Sequence, residues 1–190
     1  RLDVIVRAVE RIEKRDGTGN ISYDPENHDS MVRLRYAKVA KIARDCSPPL
    51  MSGPDRGPLV VLGWGSTLGA ITGAVENATA DGLKVARCHL RQLWPFPAEL
   101  REILGRYERI LIPEMNLGQL WRIVRSEYAL PAYSFTKVQG RPFTTAELVR
   151  RIRDNDQRPG VRLLLRKRKP IAYANHDRKR QKQNCSRHDR

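Results

Sequence analysis

Six polar residues stand at the ends of apolar runs that are typical of buried strands. They carry imidazole, guanidinium, carboxylate, amide and ammonium groups: His89, Arg91, Glu114, Asn116, Lys137 and Gln139. In open α/β sheets, ligands bind outside the edge where parallel strands end. We therefore expect these six side chains to form a rim at that edge, serving as a subunit interface or contacting a ligand.

Each rim residue has a chemical and a structural interpretation. Arg91 could hold a carboxylate or phosphate through two hydrogen bonds, and His89 could orient a partner loop. Both could instead cap loop carbonyls at an interface, which is the interpretation favoured here. Glu114 could act as a general base if burial raised its pKa. A structural or interface role is nevertheless expected first for Glu114 and Asn116, and no residue is assigned as catalytic.

Neither the cysteines nor the glycine-rich turn predicts a cofactor site. Cys46, Cys88 and Cys185 are scattered and form no C-x-x-C pair, whereas an iron–sulfur cluster commonly takes four thiolates. The sequence Gly63-Trp64-Gly65-Ser66-Thr67 superficially resembles a phosphate loop. The next glycine is Gly69, one residue too late for G-x-G-x-x-G. A tight strand-to-helix turn is therefore predicted, and no metal ligands are assigned.

Short apolar runs alternate with helical stripes from residue 59 onward. The strand candidates lie at residues 59–62, 84–90, 109–113 and 132–138, and the helical stripes at 68–78, 100–107 and 117–124. Thr144 and Glu147 have the spacing of a capping box that opens a last helix. Such alternation predicts βαβ units, and we expect an α/β fold: a three-layer α/β/α sandwich with a mainly parallel sheet.

The alternation also sets the predicted domain limits. Residues 58–155 form the α/β domain. Residues 1–57 are expected to be an N-terminal remnant, with a helix at about 25–43 that Asp24 caps, followed by a Pro-rich linker. Residues 156–190 are expected to form a basic, disordered tail.

Most of the positive charge lies in that tail. Twelve lysines and arginines against two acids give residues 158–190 a charge of +10, two thirds of the net +15. Clustered cations bind nucleic acid nonspecifically, but neither a helix-turn-helix nor a zinc motif accompanies them. A free-standing protein-interaction or nonspecific nucleic-acid-binding module is therefore the alternative functional class.

The cellular location is predicted from the length and position of the apolar runs. No run approaches the roughly 18 residues that a membrane-spanning helix needs. Residues 1–8 lack the apolar core of a secretory signal. We expect a cytoplasmic protein that makes no membrane contact and whose true start lies upstream.

Several long motifs, in order, resemble alpha subunits of 2-oxoglutarate (2-oxoacid):ferredoxin oxidoreductases. His89–Pro97 is similar to the family's H-L-R-x-L-x-P-F-P, Pro113–Leu120 to its P-E-x-N-x-G-Q-L, and Lys137–Phe143 to its K-x-x-G-x-P-F. Residues 19–28 and 62–67 add two further similar stretches, so that the resemblance covers about residues 12–153. It implies a transketolase C-terminal-like domain with a mixed, mainly parallel sheet.

The resemblance also implies a function. The family's complexes convert a 2-oxoacid to acyl-CoA and CO₂ while reducing ferredoxin, and use thiamine diphosphate, magnesium, an iron–sulfur cluster and coenzyme A. The beta subunit is the implied direct partner, and ferredoxin is reached through the complex. This chain would then be a scaffold or docking part that binds no cofactor alone, and coenzyme A or a substrate carboxylate would suit the rim if it contacts a ligand.

The 190 residues depart from the family pattern in two ways. The pyrimidine-binding domain that precedes this region in the family is not among them, so the residues that select the 2-oxoacid are expected elsewhere. Residues 1–11 and 158–190 match the family poorly or not at all, and we interpret those ends as the product of truncation or a reading-frame error.

Overall fold

A computed structural model describes residues 13–14 and 18–156 of the chain. The strands, in chain order, are β1 (Glu13–Lys14), β2 (Ile21–Ser22), β3 (Leu50–Ser52), β4 (Gly57–Trp64), β5 (Val85–Leu90), β6 (Tyr107–Glu114) and β7 (Ala132–Thr136). The helices are α1 (Pro25–Lys41), α2 (Leu68–Ala80), α3 (Leu100–Leu104), α4 (Gln119–Tyr128) and α5 (Thr145–Asp156), and short 3-10 helices lie at Ile42–Arg44 and Gly65–Thr67.

Five strands form one mixed sheet in the order β3-β5-β4-β6-β7. β5, β4, β6 and β7 are parallel to one another, and β3 pairs with β5 in the antiparallel sense. Residues 59–63 of the central strand β4 are buried on both faces, as expected of a parallel strand covered by helices on two sides. The predicted mixed, mainly parallel sheet is confirmed.

Helices cover both faces of this sheet and give the predicted three layers. α3 and α4 pack on one face against β4, β5 and β6, through a cluster that includes Leu62, Leu100 and Leu120. α2 and α5 pack on the other face, where Val61, Ile71 and Ile152 belong to a second cluster. The domain therefore has two apolar cores separated by the sheet.

The connections reverse direction at β4. The chain leaves β4 through α2 on one face to reach β5, then crosses the other face through α3 to reach β6, on the opposite side of β4. Ligand-binding crevices of open α/β sheets lie outside the strand ends at such a switch point. The loops at this crevice are residues 65–67 after β4 and 115–118 after β6.

The interpretation of the Pro-rich segment after helix α1 as a linker is wrong in part. Leu50–Ser52 forms the edge strand β3, with Leu50 opposite His89. Gly53 follows with a φ of 91°, and a Cβ at this position would lie 2.9 Å from the carbonyl oxygen of Val85. Only glycine accommodates this turn and close approach. Three residues among prolines are too short to show a strand pattern, and the small β1–β2 sheet also escaped prediction.

Helix α1 begins as predicted but packs little against the rest of the domain. The Asp24 carboxylate accepts a hydrogen bond from the Glu26 amide at 3.0 Å, which caps the helix. No residue of α1 is buried, and the apolar stripe that Val32, Tyr36 and Val39 form along it is exposed. In the described part of the chain, no helix is both long and apolar enough to cross a membrane. The predicted tail beyond Asp156 lies outside the described residues.

Candidate functional site

Two rim side chains organise the start of helix α4. The Glu114 carboxylate accepts hydrogen bonds from the amides of Leu120 at 2.7 Å and Trp121 at 3.0 Å, one to each oxygen. Asn116 Oδ1 accepts from the amides of Gly118 and Gln119 at 2.7 and 3.0 Å. Side-chain oxygens thus satisfy the amide donors that every helix start leaves unpaired, and the Glu114 charge faces the positive end of the helix dipole.

This arrangement limits what Glu114 can do chemically. Its side chain is fully buried, with 0% exposure, and both oxygens already accept backbone hydrogen bonds. A general base needs a free oxygen within hydrogen-bond reach of the substrate proton. The geometry therefore favours a structural role for Glu114 over a catalytic one.

Lys137 holds the loop between β7 and α5. Its ammonium donates to both carboxylate oxygens of Glu147 at 2.8 Å and to the carbonyl of Pro142 at 3.0 Å. The predicted capping box is confirmed, since the Thr144 amide donates to Glu147 at 2.7 Å and the Glu147 amide donates to Thr144 Oγ1 at 3.2 Å. Lys137 and the Thr144 amide lower the pKa of Glu147 from 4.5 to about 2.

The loops after β6 and β7 are joined to each other. The backbone amide of Lys137 donates to the backbone carbonyl of Glu114 at 2.9 Å. Gly118, with a φ of 82°, lies so close to β7 that a Cβ would be 3.1 Å from Ser134 Oγ. The two loops therefore form one ordered surface at the carboxyl edge of the sheet.

His89 lies near the end of β5, farther along the same edge, and Arg91 directly follows that strand. His89 is 5% exposed, and its Nδ1 has no hydrogen-bond partner among the described residues. Burial lowers the pKa of His89, and the nearby Arg87 and Arg91 lower that pKa further, so the imidazole is neutral at neutral pH. The Arg91 side chain is exposed. β4 separates β5 from β6, so this pair stands about 10 Å from the Glu114 loop, given the usual strand spacing.

The structure thus divides the six rim residues into three groups. Glu114, Asn116 and Lys137 lie together and hold two loops, as described above. His89 and Arg91 stand apart from them, and Gln139 is exposed in the β7–α5 loop. Whether the rim contacts a subunit or a ligand stays a prediction.

Sequence analysis missed the apolar members of this edge. Leu117 and Val138 are among the most exposed large apolar side chains, at 69% and 63%. They occupy the variable positions of the P-E-x-N-x-G-Q-L and K-x-x-G-x-P-F motifs. An apolar residue within a polar turn motif was the available signal, and it was not used.

The described residues do not fit a metal or iron–sulfur centre. Burial raises the pKa of the Cys88 thiol to about 12, and this side chain is fully enclosed, with 0% exposure. Cys46 lies apart and points its Sγ towards the carbonyl of Pro95 at 3.7 Å. The described range contains no cluster of three or more His, Cys, Asp or Glu side chains with metal-binding geometry.

Comparison with known proteins assigns the family. Residues 58–153, just over half of the chain, match the family model for pyruvate:ferredoxin oxidoreductase core domain II. The chain belongs to this core domain II family. The matched range begins in β4 and ends within α5, and so covers both helical layers and the parallel strands.

Proteins similar to this core domain II chain are oxidoreductase subunits. The chain is 46% identical over 144 residues to the 2-oxoglutarate oxidoreductase subunit KorA of Mycobacterium tuberculosis, covering 75% of this chain and 22% of the relative. It is 30% identical to the alpha subunit of 2-oxoacid:ferredoxin oxidoreductase 2 of Aeropyrum pernix, covering 72% and 23%. The chain thus spans about a quarter of the length of the curated relatives it matches.

A solved structure shares the core domain II fold. It is the 2-oxoglutarate:ferredoxin oxidoreductase of Magnetococcus marinus with 2-oxoglutarate, coenzyme A and succinyl-CoA bound. The TM-score is 0.70 at 30% identity, over 76% of this chain and 26% of that chain. The predicted family resemblance is therefore confirmed.

Proposed function

We propose that this chain is the docking and scaffold part of the alpha subunit of a 2-oxoglutarate:ferredoxin oxidoreductase. The whole complex would convert 2-oxoglutarate, coenzyme A and two oxidised ferredoxins to succinyl-CoA, CO₂, a proton and two reduced ferredoxins. The observation that carries the proposal is the 46% identity to the mycobacterial 2-oxoglutarate oxidoreductase subunit. Thiamine diphosphate, magnesium and the iron–sulfur centre would be held by other parts of the complex, and the complex would be cytoplasmic.

The hydrogen bonds at the rim support a scaffold role rather than a catalytic one. Glu114, Asn116 and Lys137 all satisfy groups of their own loops. The His89 imidazole is neutral, and although its Nδ1 has no hydrogen-bond partner among the described residues, that nitrogen is buried within the domain. Side chains that position substrate or move protons need unoccupied groups within reach of the reacting atoms. The chemistry of the complex is therefore assigned to residues and cofactors outside this chain.

Helix α1 supports a second contact with the rest of the complex. Its exposed apolar stripe continues into a groove of about 190 Å³ between the helix and the domain, lined in part by Tyr36, Trp94, Phe96 and Tyr128. A cavity of this order accommodates one aromatic ring. An apolar helix stripe without a buried residue is typical of an element that packs against another chain or domain.

The test is reconstitution of the complex with and without this chain. The purified chain alone should give no 2-oxoglutarate-dependent dye or ferredoxin reduction. Adding it to the beta subunit and the remaining alpha-subunit domains should restore reduction that also requires coenzyme A. Turnover by the isolated chain, or full activity of the complex without it, would refute the proposal.

The tail charge favours a second candidate function, nonspecific nucleic-acid binding. Residues 158–190 carry a charge of +10, and such binding weakens steeply with salt. A chain lacking residues 158–190 should lose binding to a random-sequence duplex at low salt. If binding persisted in that deletion, the α/β domain would itself contact nucleic acid.

A further inference from the structure

The two loops at the carboxyl edges of β6 and β7 have reversed polarity. Two of their polar side chains, Asn116 and Lys137, face inward and bond their own loops, whereas Gln139 and Arg141 are exposed. Their apolar side chains, Leu117 and Val138, face outward and are 69% and 63% exposed. Apolar surface left in water forgoes about 25 cal/mol per Å² of stabilisation. This polarity is the opposite of what a free surface loop would favour.

The exposed apolar groups are held on an ordered base. The amide of Lys137 bonds the carbonyl of Glu114 at 2.9 Å, which ties the two loops together. β6 and β7 are neighbours, with Glu114 opposite Thr136 in the register. Leu117 and Val138 therefore follow adjacent strands on loops that need no reordering on binding. Surfaces organised in advance bind more tightly because less conformational entropy is lost.

The charges of this surface have one sign. Residues 115–118 and 137–143 contain no aspartate or glutamate. The carboxylates that flank these stretches in sequence, Glu114 and Glu147, are already bonded to helix amides and to Lys137. Arg141 is exposed and makes no ion pair with any residue in the described part of the chain. The two loops thus present exposed apolar side chains together with an exposed, unpaired guanidinium.

We propose that Leu117, Val138 and Arg141 form a docking surface for an acidic protein surface with an apolar centre. Apolar contacts would exclude water, and carboxylates of the partner would pair with Arg141, a residue type enriched in interface cores. A second copy of this chain would bring like charges together at this surface and is disfavoured.

The occupant is assigned to the remaining domains of the alpha subunit, and in this respect the inference rests on the proposed function. The chain spans only 22% of its mycobacterial relative, so most of such a subunit remains available to cover the surface. The inference adds to that function the chemistry of the contacting surface and the residues that anchor it.

The test is photo-crosslinking in the assembled complex. The full chain is co-expressed with the beta subunit and the remaining alpha-subunit domains, carrying Val138→p-benzoyl-phenylalanine or, as control, Met51→p-benzoyl-phenylalanine. Met51 is also exposed but lies on the outer strand β3. We expect Val138 to crosslink to an Asp- or Glu-rich peptide of the remaining alpha-subunit domains, and not of the beta subunit, at least about fivefold more than Met51.

A charge reversal tests the role of the guanidinium. Arg141→Glu should lower the Val138 crosslink about fivefold or more, and high salt should act in the same direction. Arg56→Glu is the matched control, since Arg56 is highly exposed but precedes β4 at the opposite edge of the sheet. Circular dichroism should show the same fold for both variants.

Several outcomes would overturn the inference. Equal crosslinking from Val138 and Met51, or no effect of Arg141→Glu, would show that the surface is not a specific interface. A crosslink to a second copy, or transfer of the label to added phosphatidylglycerol vesicles, would identify a different occupant. Loss of the crosslink when coenzyme A is added would indicate a ligand site instead. Turnover of the reconstituted complex is measured separately. A complex that crosslinks as expected but reduces no ferredoxin would leave the docking surface standing and remove the proposed function.

Discussion

Arg109 on β6 and Asn155 on α5 are joined by a buried hydrogen bond across 46 residues of sequence. Arg109 Nη1 donates to the Asn155 carbonyl at 2.6 Å and to the Asp156 carbonyl at 2.9 Å. Its Nε donates to the Pro58 carbonyl at 3.3 Å. One guanidinium therefore connects the end of the last helix to the starts of two central strands, where a cation also complements the helix dipole.

Replacing Arg109 should destabilise the domain strongly. Arg109 is 4% exposed, and Arg109→Met would leave buried carbonyls without their charged donor, at a cost of about 2–4 kcal/mol. Arg153→Ala is the control, because its ion pair with Asp81 is exposed and such pairs contribute about 0–1 kcal/mol. Urea unfolding measures both variants. Equal free energies of unfolding for the two would show that Arg109 does not secure α5.

Glu114 variants separate a structural from a catalytic role. Glu114→Gln would place an amide N–H₂ against the backbone N–H groups of Leu120 or Trp121, so we expect a loss of about 2–3 kcal/mol in unfolding free energy. Asn116→Ala should cost about 1 kcal/mol as a lost helix cap. If Glu114→Gln kept full stability but abolished turnover of the reconstituted complex, the assignment of Glu114 as a cap would be wrong.

The Lys137–Glu147 pair predicts an acid-dependent stability. The pKa of Glu147 is lowered from 4.5 to about 2 in the folded protein. A carboxyl with a lowered folded pKa contributes stability above its unfolded pKa and loses that contribution as pH falls through the folded pKa.

Thermal unfolding against pH measures this contribution. The difference in unfolding free energy between the wild type and Glu147→Gln should be constant above about pH 5. It should shrink between pH 4.5 and pH 2 and vanish below about pH 2. Glu102→Gln is the control, since Glu102 also pairs with a cation, Arg106, but on an exposed helix surface. A pH-independent difference for Glu147→Gln would contradict the lowered pKa of Glu147.

Replacing each of two glycines in the β4–α2 segment by alanine should change the stability of the domain in opposite directions. A Cβ on Gly63 would contact Ile71, lie 3.0 Å from Thr67 Oγ1 and lie 3.4 Å from His89 Nδ1, so Gly63→Ala should cost about 1–3 kcal/mol through overpacking. A Cβ on Gly69 meets nothing within 4 Å. Gly69→Ala should instead stabilise helix α2 by about 0.5–1 kcal/mol. Denaturant midpoints of both variants test this, and a neutral Gly63→Ala would show that α2 can shift away from β4.

The sequence prediction was most accurate for elements with a clear apolar pattern or a capping motif. The apolar run of β4 and the Thr144–Glu147 capping box were predictable because burial and hydrogen bonding there follow from residue type and spacing. Strand β3 was not predictable, because three residues show no period and its pairing with β5 depends on a strand more than 30 residues away.

Side-chain direction in the loops was not predictable from the sequence. A structural or interface role was expected first for Asn116, and Lys137 was expected to complete the rim; both side chains bond their own loops. Leu117 and Val138 were not considered, yet they face outward. Loop residues have no fixed alternation of faces such as strands have, so only the three-dimensional contacts distinguish the anchoring side chains from the presented ones.

The edge position of β3 sets how the domain would respond to mechanical load. β3 is held to β5 by three antiparallel residue pairs, whereas β4 lies between two parallel neighbours. Tension transmitted through α1 would reach β3 first and peel it from β5, since an edge strand with few contacts opens at the lowest free energy. The parallel core would keep its two apolar layers during that step, so movement of the preceding segment would be absorbed at β3 instead of distorting the carboxyl edge of β6 and β7.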